Sequence, residues 1–336
     1  KTKIKKTSSL LEMKDIHIQG YSDEKWHDII LGVDISLKRG EVLGLIGESG
    51  AGKSTLGLAA MGFARPGCKI IKGKIIFDGI DLIKANEQTK RKLRGSRISY
   101  VAQSAAASFN PAHRLIKQTI ESSLHHKIKQ SHLAKKDAKE LFNALQLPNP
   151  DLIGERYPHQ VSGGQLQRIM TAMSMSSRPD LIIFDEPTTA LDVTTQVEVL
   201  SSIRSVVREF NTAAIYITHD LAVVAQMADK IKVLRYGKTV EEAKTKSMLS
   251  SPKKSYTKSL WAVRSIKKKE KKSKTKILSI KKIDASYGNG PLVLNNVSIA
   301  VPLGGTLAIV GESGSGKSTT ARVITGVLPP KNGKII

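Results

Sequence analysis

Short apolar runs bounded by glycine and polar residues recur along the chain, and their spacing predicts the secondary structure. Strands are expected at about residues 11–18, 29–37, 42–46, 74–77, 181–184, 213–218 and 231–234. A long segment of helical periodicity, at about residues 110–177, separates the first four strands from the last three. The last three alternate with helical patterns at 195–210 and 221–227, as parallel strands with crossover helices do. The expected fold class is α/β, with a mostly parallel sheet and a helical insert.

The beginning of this pattern occurs twice. The segment GESGAGKST at residues 47–55 returns as GESGSGKST at residues 311–319, and the strand GKII at residues 73–76 returns at residues 333–336. Repetition over this length indicates two copies of one module. The expected parts are a complete module at residues 1–250, a Lys-rich linker at residues 251–276 and an incomplete second module at residues 277–336. Because the second copy stops inside a strand, we interpret the chain as a truncated gene product.

The formal net charge of +25 raises nucleic-acid binding as a class of function. Its distribution argues against this class, since residues 253–276 alone hold eleven basic residues and one acidic residue. Such a run is usually a solvated linker, although it could also attract an anionic lipid surface. Aromatic residues make up only 4% of the chain and do not recur at base-stacking intervals. We therefore expect no specific nucleic-acid partner.

The remaining composition points to the cytoplasm. Cys68 is the single cysteine, which excludes an intramolecular disulfide and suits a reducing compartment. No apolar run reaches the about 18 residues of a membrane span, and the basic N-terminus leads into no signal-peptide pattern. A cytoplasmic protein is expected.

Residues 47–54 have the glycine spacing of a phosphate-binding loop and lie between a predicted strand and a predicted helix, as that motif requires. Its glycines let backbone N–H groups approach phosphates, and the following helix directs its positive dipole end at the anion. Lys53 is expected to reach the β- and γ-phosphates of a nucleotide, and Ser54 to bind Mg²⁺. The candidate nucleotide-binding residues are Gly47, Glu48, Ser49, Gly50, Ala51, Gly52, Lys53, Ser54 and Thr55, with Gly311, Gly316, Lys317, Ser318 and Thr319 in the second copy.

Three ionisable residues follow two other apolar strands. Asp185 and Glu186 come directly after the strand at 181–184, and His219 follows the strand at 213–218. Ligands of α/β sheets bind at the carboxyl ends of parallel strands. Beside a phosphate loop, Asp185 suits Mg²⁺ binding, Glu186 suits polarisation of an attacking water and His219 suits contact with a γ-phosphate. Without that loop, an acid pair after a strand is often a simple turn, and a histidine there is more often structural.

Ser162 begins an SGGQ sequence that precedes a predicted helix at 166–175 and lies 23 residues before Asp185. In this context the sequence resembles the signature motif of ATP-binding cassette proteins, with Val161 where that family usually has leucine. The resemblance implies a cassette ATPase core with an antiparallel β subdomain, a helical subdomain at about residues 110–178, and ATP and Mg²⁺ as cofactors. The residues implied to contact the γ-phosphate of an ATP held by a facing cassette are Ser162, Gly163, Gly164 and Gln165.

The same resemblance implies roles for further positions. Gln103 would couple the Mg²⁺ and water site to a partner protein, and Asp192 would line the interface between two cassettes. An aromatic residue near the N-terminus would stack on adenine; Tyr21 is the expected residue, with Trp26 as the alternative. The catalytic residues implied are Glu186, His219 and Gln103, and the Mg²⁺ ligands implied are Ser54, Gln103 and Asp185.

Three further stretches resemble the ATPase subunits of the dipeptide, oligopeptide and nickel uptake group, some of which fuse two cassettes. They are SFNP at 108–111, YPHQ at 157–160 and the segment 252–260, where the group's HPYT sequence is replaced by KSYT. The resemblance implies an ATPase that energises import of peptides or a related small solute, bound peripherally to the cytoplasmic face of the inner (plasma) membrane. Its partners would be integral permease subunits, indirectly a solute-binding protein, and a second cassette from an identical or paralogous chain. The alternative is a soluble tandem-cassette protein that acts on ribosomes or nucleic acid.

Overall fold

The structure is a computed structural model that describes residues 9–188, 191, 193–262, 275–311 and 314–336. The chain divides into two compact units, the larger within Lys1–Arg264 and the smaller formed mainly by Ser265–Ile336. Residues 263–274 of the predicted Lys-rich linker lie outside the described residues. The larger unit holds two sheets and the smaller unit holds one.

The strands of the larger unit combine an antiparallel sheet with a mostly parallel one. In chain order they are β1 (Leu11–Ser22), β2 (Lys25–Leu37), β3 (Val42–Ile46), β4 (Cys68–Phe77), β5 (Ile80–Asp81), β6 (Ile98–Val101), β7 (Leu181–Asp185), β8 (Ala213–Ile217), β9 (Lys230–Arg235) and β10 (Lys238–Lys244). The antiparallel sheet has the order β2-β1-β4-β5, and the other sheet has the order β10-β9-β3-β8-β7-β6. In the second sheet β9, β3, β8, β7 and β6 run parallel, and β10 pairs antiparallel with β9. The predicted α/β class is confirmed.

A bulge in β1 keeps the apolar side chains of the antiparallel sheet on one face. Leu11 and Met13 are buried, and strict alternation would then bury Asp15. The register between β1 and β2 shifts between Met13 and Ile16, and Asp15 has a φ of 50°. A bulge of this kind adds a residue to one strand. Ile16 and Ile18 therefore return to the buried face.

The parallel sheet separates two apolar clusters of the larger unit. Every residue of β7 is buried, and its side chains alternate between the two faces. Leu181 and Ile183 pack in one cluster, whereas Ile182 and Phe184 pack in the other. Strands that are buried on both faces have near-continuous apolar sequences. The central strands therefore appear in the sequence as apolar runs and not as an alternation of apolar and polar residues.

The helices of the larger unit cover the parallel sheet and form the insert between β6 and β7. They are α1 (Lys53–Ala59), α2 (Glu87–Leu93), α3 (Ala105–Ser108), α4 (Leu115–Thr119), α5 (Glu121–His125), α6 (Ser131–Ala144), α7 (Gly163–Met175), α8 (Val193–Glu209), α9 (Leu221–Met227), α10 (Thr245–Ser250) and α11 (Ser255–Ala262), with short 3₁₀ turns at Ile153–Glu155 and Pro158–Gln160. In α6 the buried residues Ala134, Ala138, Leu141 and Phe142 lie on one helical face. Within the described ranges no helix combines the length and apolarity needed to cross a bilayer.

The smaller unit is a three-stranded antiparallel sheet with one helix packed near it. Its elements are β11 (Lys276–Ala285), β12 (Leu294–Pro302), α12 (Lys317–Ile324) and β13 (Asn332–Ile335), and the strand order is β12-β11-β13. The buried residues of its core are Ile280, Ile283, Ala285, Leu294 and Val323. The order of elements matches β1, β2, α1 and β4 of the larger unit, as the repeat predicted.

Candidate active site

The loop between β3 and α1 has a backbone that requires glycine. Gly47, Gly50 and Gly52 have φ values of 155°, 82° and 89°. A Cβ on Gly47 would lie 2.3 Å from the carbonyl oxygen of Leu234 in β9, so a side chain has no room there. At Gly50 no described atom lies within 4 Å of such a Cβ, and the backbone is open to a ligand. The loop can therefore present its N–H groups to an anion at the start of α1.

Lys53 is the first residue of α1, and its side chain folds back over the loop. Its Nζ donates hydrogen bonds to the carbonyl oxygens of Gly47 and Glu48, each at 2.9 Å. Burial lowers the pKa of the Lys53 ammonium, and the charges of Glu186 and Asp185 partly oppose this effect. The cation is thus held inside the loop, close to where the phosphates of a bound nucleotide would lie.

Ser54 and Asp185 are in direct contact, although 131 positions separate them in the sequence. The Ser54 hydroxyl donates to Asp185 Oδ1 at 2.7 Å, and the Tyr100 hydroxyl donates to Asp185 Oδ2 at 2.5 Å. Burial and the bond to Asp185 raise the pKa of Tyr100, so this hydroxyl stays protonated as a donor. Both oxygens of the buried Asp185 carboxylate therefore have a fixed hydrogen-bond partner.

Glu186 lies between Gln103 and His219. Gln103 Nε2 donates to Glu186 Oε2 at 3.3 Å, and His219 Nδ1 lies 3.1 Å from Glu186 Oε1. Glu186 has a φ of 49°, and its N–H donates to the carbonyl oxygen of Ile217 at 2.9 Å. This turn directs the carboxylate away from β7 at the carboxyl end of the sheet. The residues that sequence reasoning placed after β6, β7 and β8 are thus brought together in one group.

The oxygen atoms of this group suit Mg²⁺ that arrives with a nucleotide. Ser54 and Asp185 supply a hydroxyl and a carboxylate, and Mg²⁺ in phosphate sites takes one or two carboxylates together with phosphate oxygens. In the part of the chain that the structure describes, no cluster of three or more His, Cys, Asp or Glu side chains could hold a metal. The site fits an ion shared with phosphates better than a metal held by protein groups alone.

The SGGQ segment caps the N-terminus of α7. The backbone N–H of Gln165 donates to the Ser162 hydroxyl at 3.3 Å, and the Ser162 N–H donates to Gln165 Oε1 at 3.1 Å. This reciprocal pair is a capping box. Ser162 and Gly163 are exposed, and among the described residues no hydrogen bond joins residues 162–165 to residues 47–55.

The two candidates for adenine stacking form one aromatic pair. Tyr21 and Trp26 face each other across the β1–β2 hairpin with ring centroids 5.3 Å apart, and both are exposed. Lys69 Nζ lies 3.7 Å from the Trp26 ring centroid on the neighbouring strand β4. The structure thus offers Tyr21 and Trp26 together as an aromatic surface. Asp192, expected at a cassette interface, lies outside the described residues.

Comparison with known proteins decides the family. The model of the "ABC transporter" family matches residues 30–189 and 294–336, which cover more than half of the chain. The chain belongs to the ATP-binding cassette family. It is an ATPase of the cassette type, and the family model matches segments that contain both copies of the repeated sequence.

Similar curated proteins are named as ATP-binding proteins of transporters. The oligopeptide transport ATP-binding protein OppD of Lactococcus lactis subsp. cremoris (strain SK11) is 37% identical over 254 residues, 76% of this chain and 75% of the relative. The uncharacterized ABC transporter ATP-binding protein YejF of Escherichia coli (strain K12) is 33% identical and covers 94% of this chain. The glutathione import ATP-binding protein GsiA of Salmonella choleraesuis (strain SC-B67) is 31% identical and covers 97%. The chain spans 62% of the length of YejF and 60% of that of GsiA.

Solved cassettes share the fold. The dimeric post-hydrolysis structure of the ATP-binding cassette MJ0796 bound to ADP and Pi has a TM-score of 0.62 at 23% identity, and covers 70% of this chain and 98% of that one. CbiO1 of Clostridium perfringens, part of the complex CbiONQ, has a TM-score of 0.63 at 23% identity over 73% of this chain and 92% of that one. These matches confirm the predicted cassette fold.

The described glycines of the repeated loop have nearly the same φ values as those of the first loop. Gly311, Gly314 and Gly316 have φ values of 156°, 85° and 89°, and Lys317 Nζ donates to the Gly311 carbonyl oxygen at 2.8 Å. Thr319 lies beside Tyr287, with 3.3 Å between the two hydroxyl oxygens. Ser318 follows Lys317 in α12, as Ser54 follows Lys53 in α1. The described residues of this segment therefore have the same local geometry as their counterparts in residues 47–55.

Sequence reasoning missed Tyr100 as part of the first site. Tyr100 lies in β6, whose sequence is ISYV, three positions before Gln103. A tyrosine in a short strand is equally typical of packing, so the sequence held no distinct signal for it. It could not be assigned, because the contact with Asp185 arises from the parallel pairing of β6 with β7.

Proposed function

We propose that the first cassette binds ATP through residues 47–55 and hydrolyses it with Glu186 as the group that polarises the attacking water. The observation that supports this proposal is the position of the Glu186 carboxylate between Gln103 and His219, next to the contact of Ser54 with Asp185. A carboxylate fixed at the end of the strand beside a phosphate loop is suited to orient a water for in-line attack.

The phosphates would lie against the N–H groups of the loop, with Lys53 beside the β- and γ-phosphates. Ser54, with Asp185 and Gln103, would hold Mg²⁺. The bound Mg²⁺ would neutralise charge that develops on the phosphate oxygens during transfer. His219 would contact the γ-phosphate. Glu186 would accept a hydrogen bond from the attacking water. The exposed Tyr21 and Trp26 pair would stack on adenine.

We propose further that each ATP is completed by a facing cassette. Ser162, Gly163, Gly164 and Gln165 lie at the N-terminus of α7, where a helix dipole favours an anion, and the first two are exposed. They would contact the γ-phosphate of an ATP that a partner cassette holds, and Asp192 would lie at the same interface. The partner is a second copy of this chain or a paralogous cassette.

The organisation that we propose is one complete cassette followed by a linker and the first part of another. The structure adds a detail to the expected boundary at residue 250. Helix α11 follows that boundary and packs on the core of the larger unit through Tyr256, Leu260 and Trp261. In the second cassette, Gly311, Gly316, Lys317, Ser318 and Thr319 would bind nucleotide phosphates. Glu186, His219 and the signature segment have no counterpart in residues 275–311 and 314–336.

The biological role that we propose is the energising of an importer of peptides or a related small solute. The 37% identity with the L. lactis oligopeptide transport subunit supports this role. The chain would bind peripherally to integral permease subunits at the cytoplasmic face of the plasma membrane, and a solute-binding protein would deliver the cargo.

Purification from the cells that naturally produce the protein tests this role. An affinity-tagged full chain, extracted from membranes in mild detergent, should be recovered with integral membrane subunits. Its ATP hydrolysis should rise when the reconstituted complex receives loaded solute-binding protein. Recovery with ribosomes or nucleic acid, and with no membrane subunit, would contradict the transporter role and support the alternative.

A further inference from the structure

Helix α11 follows the last strand of the larger unit and is fixed by a buried carboxylate. Glu241 in β10 accepts the backbone N–H of Lys253 at 2.9 Å through one oxygen and that of Lys254 at 3.0 Å through the other. These N–H groups precede the first turn of the helix, where donors otherwise lack partners. The start of α11 is therefore anchored to the parallel sheet by a side chain that is 9% exposed.

This anchor places Tyr256 against the phosphate loop. The Tyr256 side chain is 8% exposed, and its ring lies 4.4 Å from the guanidinium carbon of Arg235, the last residue of β9. Its hydroxyl accepts a hydrogen bond from the backbone N–H of Glu48 at 3.4 Å. Tyr256 thus contacts the second residue of the loop through the main chain of Glu48.

The first two residues of the loop, Gly47 and Glu48, are confined from a second side by β9. The Leu234 carbonyl oxygen approaches Gly47 so closely that a Cβ there would lie 2.3 Å from it. Gly47 and Glu48 are thus confined by two elements, β9 and α11. The residues whose N–H groups would face phosphates come directly after them, and Lys53 donates to the carbonyl oxygens of both. A shift of Gly47 and Glu48 would therefore also move the Lys53 ammonium.

We propose that Tyr256 is a positioning residue for the phosphate loop of the first cassette. Its hydroxyl holds Glu48 so that the loop is already in its nucleotide-binding conformation before ATP arrives. Because Tyr256 is buried behind the loop, it contributes through the loop and touches no phosphate itself. Fixing a loop in its bound conformation lowers the entropy lost on binding and so raises affinity. This inference rests on the proposed nucleotide-binding role of residues 47–55.

The test is the variant Tyr256→Phe in the full chain, with Lys317→Ala present throughout so that only the first loop is measured. Phenylalanine keeps the ring over Arg235 and removes the hydroxyl. We expect the Kd for ATP with Mg²⁺, measured by titration calorimetry, to rise about two- to tenfold, the range for one hydrogen bond. The KM for ATP should rise in parallel while kcat at saturating ATP is unchanged.

Tyr236→Phe is the matched control. Tyr236 lies beside the same arginine, 4.9 Å from its guanidinium carbon, but is 73% exposed. Loss of its hydroxyl should leave both Kd and KM unchanged. The melting temperature of nucleotide-free protein is measured for each variant, and titrations are run where all variants are fully folded. A merely structural role for Tyr256 would lower the melting temperature and leave the affinity of the folded protein unaltered.

An unchanged Kd for Tyr256→Phe, or a loss of kcat with an unchanged Kd, would overturn the proposal. An equal loss of affinity in Tyr236→Phe would also overturn it. The variant Lys53→Ala separates this inference from the function on which it rests. If Lys53→Ala leaves ATP binding intact, the role of the loop itself is wrong. If Lys53→Ala abolishes binding while Tyr256→Phe has no effect, the loop assignment stands and the positioning role of Tyr256 is wrong.

Discussion

The two cassettes contain nearly the same phosphate loop in two different surroundings. Ile46, which precedes the first loop, is 1% exposed, whereas Val310 at the equivalent position of the second is 86% exposed. In the first cassette β3 lies between β8 and β9, while residues 305–310 are not part of a strand. The glycine φ values agree within a few degrees all the same. Local sequence therefore sets the loop backbone, and distant strands supply its burial and its chemistry.

The largest expected effect comes from Glu186, because the described part of the second cassette has no equivalent. Glu186→Gln should retain ATP binding and lower ATP turnover by about 10²- to 10⁴-fold, the usual contribution of a positioned acid or base. The matched control Lys317→Ala should leave turnover of this 336-residue chain within about twofold, since none of residues 275–311 and 314–336 corresponds to Glu186 or His219. Steady-state phosphate release measures both variants.

Two outcomes would break this contrast between the cassettes. Undiminished turnover in Glu186→Gln would remove that residue from the proposed role. A large loss of turnover in Lys317→Ala would show that the second loop takes part in hydrolysis. A loss of turnover in Lys317→Ala would mean that a nucleotide bound at the second loop affects hydrolysis at the first site.

The next effect concerns the apolar strand before each loop. Leu43 in β3 is fully buried at 0% exposure, and the equivalent Leu307 is 43% exposed. Leu43→Ala should lower the free energy of unfolding of the larger unit by about 2–5 kcal/mol, since it removes buried methyl groups and leaves a cavity. Leu307→Ala should change the stability of the smaller unit by less than about 1 kcal/mol.

Hydrogen exchange followed by mass spectrometry measures the two units separately in one protein. The free energy of exchange of peptides from β3 and β8 reports the effect of Leu43→Ala, and that of peptides from β11 reports the effect of Leu307→Ala. Equal losses in the two variants would contradict the difference in burial. A large loss for Leu307→Ala alone would show that residues 305–310 are buried in the protein in solution.

The sequence predicted the central strands best because they are buried on both faces. The interval 42–46 was expected as a strand and is β3, and 181–184 became β7 with one further residue. The β1–β2 hairpin was predicted too short. Its outer part, residues 19–28, is largely exposed on both faces, so backbone pairing continues where apolar alternation stops.

Some residues of the candidate site can be identified from the local sequence, and others reach it only through tertiary packing. The loop could be identified from residues 47–55 because glycine spacing and the following helix specify it. Glu186 and His219 could be inferred because each follows an apolar strand. Tyr100 and Tyr256 could not, since each reaches the site through tertiary packing: one by the pairing of β6 with β7, the other by the seating of α11.

The smallest expected effect concerns Tyr100 and the proposed Mg²⁺ site of the first cassette. Tyr100→Phe removes the hydrogen bond to Asp185 Oδ2 and leaves a buried carboxylate oxygen without its partner. The Mg²⁺ concentration that gives half-maximal ATP affinity should rise about three- to tenfold, because Asp185 is then free to turn away from Ser54. The matched control is Tyr287→Phe, which removes a hydroxyl beside Thr319 in the second cassette and should leave the Mg²⁺ dependence unchanged. Titration of nucleotide affinity against Mg²⁺ distinguishes the two variants without relying on turnover. An unaltered Mg²⁺ dependence in Tyr100→Phe would mean that Ser54 alone fixes Asp185, and that β6 contributes no side chain to the Mg²⁺ site.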